Sequence, residues 1–186
     1  MEMAKVRSIG VFCGSAAGRS PAYVIAARAA GKAIASHNAR LVYGGGDVGL
    51  MGQAAHAALE AGGEVLGVIP EFMIATEGLY EAAETRIVTT MSIRKNMLIE
   101  ESDAFLIMPG GVGTLEEVFD VLSRQRLSQH DKPVAFLDVE AFWEPFFKLL
   151  YRTEQEGFTP EGFHDHVSVH DDAGEAIDRL LEKISG

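Results

Sequence analysis

The chain has 186 residues, 47% of them hydrophobic and 23% charged, which describes one ordinary globular domain, residues 1–186, with a real core. Its net charge of −11 excludes a general nucleic-acid or membrane-surface binder, because phosphate backbones and anionic lipids are repelled. The single cysteine, Cys13, excludes an internal disulfide and a multi-cysteine zinc site.

Strand and helix patterns alternate from end to end. The first strand is expected over Val6–Cys13, with Cys13 a buried thiol at its end. The apolar run behind Lys5 and Arg7 is broken at Gly10 and stopped at Gly14, too short for a signal peptide. No run reaches the roughly 18 apolar residues of a membrane span, so the cytoplasm is the default compartment. Ser20-Pro21 reads as an N-cap with proline at the first helical position, and the helix continues from Ala22 to Ser36. A strand over Arg40–Tyr43 enters the turn Gly44-Gly45-Gly46-Asp47-Val48-Gly49. Leu50–Ala61 is an alanine-rich helix closed by Gly62-Gly63. A strand at Val65–Ile69 precedes the longest irregular stretch, Glu71–Thr85, whose length suggests a lid or an interface loop. Next come a strand at Arg86–Val88, a helix at Ser92–Glu101 and a strand at Ala104–Met108. The last elements are a helix at Thr114–Leu127, a strand at Pro133–Leu137, a helix at Ala141–Glu156, a strand at His166–Val169 and a helix at Asp172–Ile184. This alternation predicts an α/β fold: a Rossmann-like, doubly wound parallel sheet of about seven strands with helices on both faces.

Ligands in such sheets sit outside the carboxyl ends of the strands. Three glycine-bearing turns lie there, beginning at Cys13, Gly44 and Pro109, and all three should face one rim. Gly44-x-Gly46-x-x-Gly49 fits a dinucleotide fingerprint, but the acidic residue expected at the end of the next strand is missing. Tight strand-to-helix packing explains those glycines equally well. No glycine turn is followed by a Walker lysine, which argues against nucleoside triphosphate hydrolysis.

The turn Pro109-Gly110-Gly111-Val112-Gly113-Thr114 is the most informative. Glycines let a backbone approach a phosphate, and free N–H groups at a helix start supply donors at the positive end of a dipole. Two carboxylates, Glu116 and Glu117, follow at once. An anion bound there has a carboxylate beside it, which suits a phosphorylated substrate with chemistry next to the phosphate. Thr114-Leu115-Glu116-Glu117 also matches a capping box, Thr at N-cap and Glu at N3, and a cap alone accounts for Glu117. Glu116 reads equally as a solvated first-turn acid.

Arg94 and Lys95 stand early in the Ser92 helix, while Glu100 and Glu101 stand in its last turn. That is the reverse of what the helix dipole favours. Either solvent screens a small cost, or Arg94 and Lys95 join the helix start in receiving an anion. The six histidines form no convincing metal set; His164-x-His166 reads as solvated surface. No G-x-S-x-G is present, so a serine-hydrolase elbow is not supported. Phe142, Trp143, Phe146 and Phe147 read as core, with an interface as the alternative.

These residues resemble the Lonely Guy family, cytokinin riboside 5′-monophosphate phosphoribohydrolases often mislabelled lysine decarboxylases. Pro109 to Glu117 fits the family's PGGxGTxxE signature, and Met91-Ser92-Ile93-Arg94-Lys95 fits its Arg-Lys segment. Leu41 to Gly46, Gly49-Leu50-Met51-Gly52 and Val68-Ile69-Pro70 are further landmarks. The resemblance implies Arg94 and Glu117 as the catalytic pair. It implies substrate contacts at Met91, Arg94, Lys95, Gly110, Gly111, Gly113, Thr114 and Glu116, together with Glu77 and Ser123. It implies hydrolysis of the N-glycosidic bond of adenosine 5′-monophosphate or its N6-modified form, with no metal and no cofactor, in a homodimer or higher homo-oligomer. Two departures stand out: Ser92 replaces a histidine of many members, and Arg126-Leu127-Ser128-Gln129-His130 replaces a Gln-Leu-Gly-x-His run. They bear on base preference and subunit packing. The rival is a non-catalytic carrier of a phosphorylated cofactor such as molybdenum cofactor, which needs the phosphate turn but not Arg94 with Glu117. Lysine decarboxylase is a poor third, for want of a lysine context for pyridoxal phosphate.

Overall fold

Seven parallel strands form one sheet in the order β4-β3-β2-β1-β5-β6-β7. They are β1 (Ser8–Phe12), β2 (Arg40–Tyr43), β3 (Glu64–Pro70), β4 (Glu84–Val88), β5 (Ala104–Ile107), β6 (Val134–Leu137) and β7 (Val167–His170). The helices are α1 (Pro21–Ser36), α2 (Gly49–Glu60), α3 (Ile74–Glu77), α4 (Met91–Glu100), α5 (Val112–Arg126), α6 (Glu144–Gln155) and α7 (Ala173–Ser185). The structure is a computed structural model and describes residues 7–185; Lys5 and Val6 lie outside the described residues. No helix among these residues is long and apolar enough to cross a membrane.

Side-chain alternation along the strands feeds two cores, one on each face. Ile9, Val11, Leu41, Tyr43 and Leu106 face α1, α2 and α7. Phe12, Val42, Phe105 and Ile107 face α4, α5 and α6. The first core is built from small residues, which bring helices close. A Cβ on Gly31 of α1 would collide with the backbone of Ala54 on α2. The second core is aromatic: Phe136, Trp143, Phe146 and Phe147 pack ring against ring. Trp143 is 1% exposed. Those rings are core, while Phe142 is partly exposed.

The ends of the elements are where expectation and structure differ. Ser20 does cap α1, its Oγ accepting from the Ala22 N–H at 3.2 Å. The stretch expected to be irregular from Glu71 to Thr85 carries a 3₁₀ turn, Glu71–Met73, and the single-turn helix α3, and β4 already begins at Glu84. The helix expected from Ala141 starts only at Glu144, because Glu140 and Ala141 both take left-handed φ of 56°. The strand expected from His166 starts at Val167, after a 3₁₀ turn over Phe163–His166. The reversed charges of α4 also find a reason. Glu101, just past its end, pairs with Arg40 at 2.8 Å and with Arg86. Two guanidinium groups hold the Glu101 carboxyl below its ordinary range against the opposing effect of burial.

Candidate active site

Strand order reverses between β1 and β5, and the crevice at such a point is where open α/β sheets bind ligands. Here the Gly14 N–H donates to the Pro109 carbonyl at 3.0 Å, so the first and third glycine turns are joined. A cavity of about 200 Å³ opens beside them. Its walls come from Cys13 and Ser15 after β1, Met51 of α2, Glu77 of α3, Arg94 of α4, and Gly111 to Thr114 with Glu117 of α5. Burial, and then the nearby Glu117, push the Cys13 thiol far up, which makes it an inert wall rather than a nucleophile.

The capping box is not formed. Helix α5 starts at Val112 with Gly111 as N-cap, and no side chain caps it. Thr114 is already inside the first turn and 4% exposed. Its Oγ1 occupies the place where a Cβ of Gly110 would stand. Packing alone therefore demands glycine at position 110. The first intrahelical bond runs from the Leu115 N–H to the Gly111 carbonyl at 3.0 Å. The N–H groups of Val112, Gly113 and Thr114 have no carbonyl one turn behind them, and all three residues line the cavity, which makes the helix start a cradle able to receive an anion. Glu117 lies nearly two turns in, out of reach of the cap position.

Glu117 instead meets Arg94. The Arg94 side chain is buried and divided among three partners: Nε donates to the Val68 carbonyl at 3.1 Å, Nη2 donates to the Gly44 carbonyl at 3.2 Å, and Nη1 stands 3.7 Å from Glu117 Oε1. A residue early in α4 thus crosses to the carboxyl ends of β2 and β3 and reaches α5. Burial pushes the Glu117 carboxyl from its ordinary 4.5 up to about 7, with Arg94 pulling down and Glu116 and Glu77 pushing further up. A carboxylate poised near neutrality beside a fixed cation and an anion cradle is equipped for proton transfer and for stabilising positive charge.

Glu77 and Met91 also reach this cavity. Glu77 Oε2 is buried and has no hydrogen-bond partner among the described residues. Lys95 and Glu116 do not line it. They bond each other at 2.9 Å, with Asp120 a further 3.8 Å partner of Lys95, so the lysine is engaged between α4 and α5. Ser123 lies elsewhere, in an apolar groove between α5 and α6 with Phe119 and Leu149. Two turns of helix separate it from the cradle.

The role of the central glycine turn is not apparent from sequence. Arg94 Nη2 fills the position of a Gly44 Cβ, and a Cβ on Gly46 would stand 3.0 Å from Glu77 Oε2. The triplet clears space for the guanidinium and for the second carboxylate. Gly111 and Gly113 differ from these, since a Cβ on either meets nothing within 4 Å and neither has positive φ. What they leave open is the cavity mouth. Gly113→Ala is expected to keep or raise the thermal midpoint, since alanine is the better helix residue by up to about 1 kcal/mol. It should nonetheless weaken binding of a phosphorylated ligand about tenfold or more by crowding the cradle. Differential scanning calorimetry with and without ligand checks both.

A family model described as possible lysine decarboxylase matches residues 51–180. A cytokinin riboside 5′-monophosphate phosphoribohydrolase of Arabidopsis thaliana is 37% identical over 98% of this chain and 85% of its own length. The chain belongs to the Lonely Guy family. A second cytokinin riboside 5′-monophosphate phosphoribohydrolase, from Rhodococcoides fascians, is 42% identical over 92% of this chain and 87% of its own length. Among solved structures, the molybdenum cofactor carrier protein of Chlamydomonas reinhardtii has a TM-score of 0.75 at 27% identity, covering 98% of this chain and 100% of that one. The cofactor-binding protein of Rippkaea orientalis, at 24% identity and a TM-score of 0.72 over 98% and 99% of the two chains, shares the fold. The two departures from the Lonely Guy pattern lie away from the cavity walls. Ser92 is exposed on the first turn of α4. Ser128 takes a left-handed φ of 55°, a conformation that glycine adopts without strain.

Proposed function

We propose that this chain hydrolyses the N-glycosidic bond of adenosine 5′-monophosphate or an N6-modified form, giving free base and ribose 5-phosphate. The observation that carries the reading is the buried Arg94–Glu117 pair beside the open start of α5. The phosphate binds the Val112, Gly113 and Thr114 N–H groups, and that remote binding energy places the ribose. The bond from the anomeric carbon to the base nitrogen breaks, its electron pair leaving with the base, which takes up a proton. Positive charge grows on the ribose ring, as in other glycoside hydrolyses. Glu117 stabilises that charge and accepts a proton from the attacking water. Arg94 fixes the carboxylate and faces the ribose and phosphate oxygens.

The names of the relatives support this reaction. The carrier likeness supports a second reading, a phosphorylated cofactor held at the same cradle. A carrier has no use for a carboxylate poised near neutrality, and Glu117 therefore favours the enzyme. Decarboxylation of lysine needs a lysine to carry pyridoxal phosphate. No lysine lines the cavity among the described residues, and Lys95 is already tied to Glu116 and Asp120.

Incubation with adenosine 5′-monophosphate and with adenosine, followed by chromatography for adenine, tests the proposal. Release from the monophosphate should be faster by about a hundredfold or more, because the cradle's binding energy is absent with the nucleoside. Equal rates overturn the role given to α5, and no adenine from either overturns the enzyme. A homodimer or larger assembly belongs to the same reading; sedimentation at micromolar concentration should show no dominant species near the 20.0 kDa of one chain.

A further inference from the structure

The segment between β3 and β4 gives the cavity two walls, Met73 and Glu77, and Glu77 is the one that carries a charge. It sits on α3, a single turn of helix, too short to hold itself in place. Something outside the segment must set its direction. The Asp47 N–H donates to the Glu77 carbonyl at 2.8 Å, and a Cβ on Gly78 would stand 3.6 Å from Asp47 Cβ. The Asp47 carboxylate in turn meets His56 Nε2 of α2 at 2.5 Å. The His56 ring lies against Tyr80, three residues beyond Glu77 in the chain, with centroids 4.2 Å apart. Backbone, carboxylate, imidazole and phenol therefore close a loop that grips residues 77–80 from both ends.

We propose that Asp47 and His56 are positioning residues: they latch the 71–83 segment to the glycine turn and so aim Glu77 into the cavity. This rests on the reading of the cavity as a nucleoside monophosphate site, with Glu77 accepting from a hydroxyl or amine of that substrate. The Glu77 oxygen without a protein partner is the acceptor such a group would find. The latch is half-exposed, with 32% of the His56 side chain and 37% of the Asp47 side chain open to solvent. It is thus a device of modest weight, suited to orienting a residue rather than to holding the fold.

Two variants divide it. His56→Phe keeps a ring against Tyr80 and removes the donor to Asp47. His56→Gln keeps a donor and loses the ring. Hydrogen exchange of the free protein should show the Asp47 and Gly78 amides opening about 3- to 10-fold faster in His56→Phe, the weight of one hydrogen bond. In the same variant KM for adenosine 5′-monophosphate should rise about 3- to 10-fold with kcat within about twofold, and His56→Gln should recover most of the loss. Placed on Glu77→Gln, the His56→Phe change should add less than about twofold, because the latch acts through Glu77. Unchanged exchange at Asp47 and Gly78 overturns the latch. Faster exchange with unchanged KM, or full additivity with Glu77→Gln, overturns its role in aiming Glu77. Failure of the unmodified chain to release adenine overturns the functional reading instead, and the exchange measurement still decides the latch.

Discussion

Glu117→Gln folds and releases adenine from adenosine 5′-monophosphate at least about a hundredfold more slowly than the unmodified chain, the scale of removing one charged group from a transition state. The amide fills the same volume in the same helix. It offers no negative charge to the ribose ring and is a poor base for water. The loss should fall on kcat more than on KM, since Glu117 acts on charge that appears only as the bond breaks. In the unmodified chain kcat/KM should climb with pH through about 7, where Glu117 ionises, and then level. That limb should vanish from the residual activity of the variant. A variant that folds and keeps near-normal turnover removes Glu117 from the chemistry.

Stability gives an independent reading of the same residue. The folded chain raises the Glu117 pKa from 4.5 to about 7, so between those values it holds a proton that the unfolded chain has released. Stability from this group is therefore full below pH 4.5 and is lost as pH rises through 7. Glu117→Gln has no such proton. Its stability relative to the unmodified chain should improve between pH 5 and pH 8, by roughly 2–3 kcal/mol if the whole shift is realised. Urea midpoints at the two pH values measure it, and a constant difference between the chains denies the shift.

The sheet was readable because period and punctuation agree along the whole chain. Apolar runs such as Ala104–Ile107 alternate with capped helices such as the one after Ser20, and all seven strands appear near their expected places. What the pattern could not place were starts set by tertiary contact. Thr114 followed three residues later by Glu117 has the spelling of a capping box, yet the helix begins at Val112, with Gly111 as its N-cap, and Thr114 is drawn inward against Gly110. The short helix α3 was hidden for the opposite reason. Its four residues carry no period, and it stands because Asp47 and its neighbours hold its end. Within the site, Arg94 and Glu117 are 23 positions apart in sequence, and only the crossing of α4 and α5 at the rim joins them. Their pairing came from resemblance, and geometry supplies its reason. The function of Gly44 and Gly46 was out of reach, because the side chains they make room for arrive from α4 and α3.

Arg94 should be harder to replace than a charge count suggests. Arg94→Lys keeps the charge but gathers its donors at one nitrogen, whereas the guanidinium spreads three nitrogens over Val68, Gly44 and Glu117. At least one buried carbonyl then loses its donor, at about 1–3 kcal/mol of stability. The carboxylate is no longer fixed from the side, and turnover should fall about a hundredfold. Arg94→Gln makes the complementary test. It can retain an amide N–H toward a carbonyl but removes the cation that pulls the Glu117 pKa down. Without that pull the carboxyl ionises at higher pH, so the rising limb of kcat/KM should move above 7 in Arg94→Gln and stay near 7 in Arg94→Lys. The two variants thus separate charge from geometry at one position. Equal limbs in both would mean that Arg94 does not set the ionisation of Glu117. Full activity in Arg94→Lys would mean that the span from Val68 to Glu117, rather than being the frame of the site, is only a way of burying an arginine.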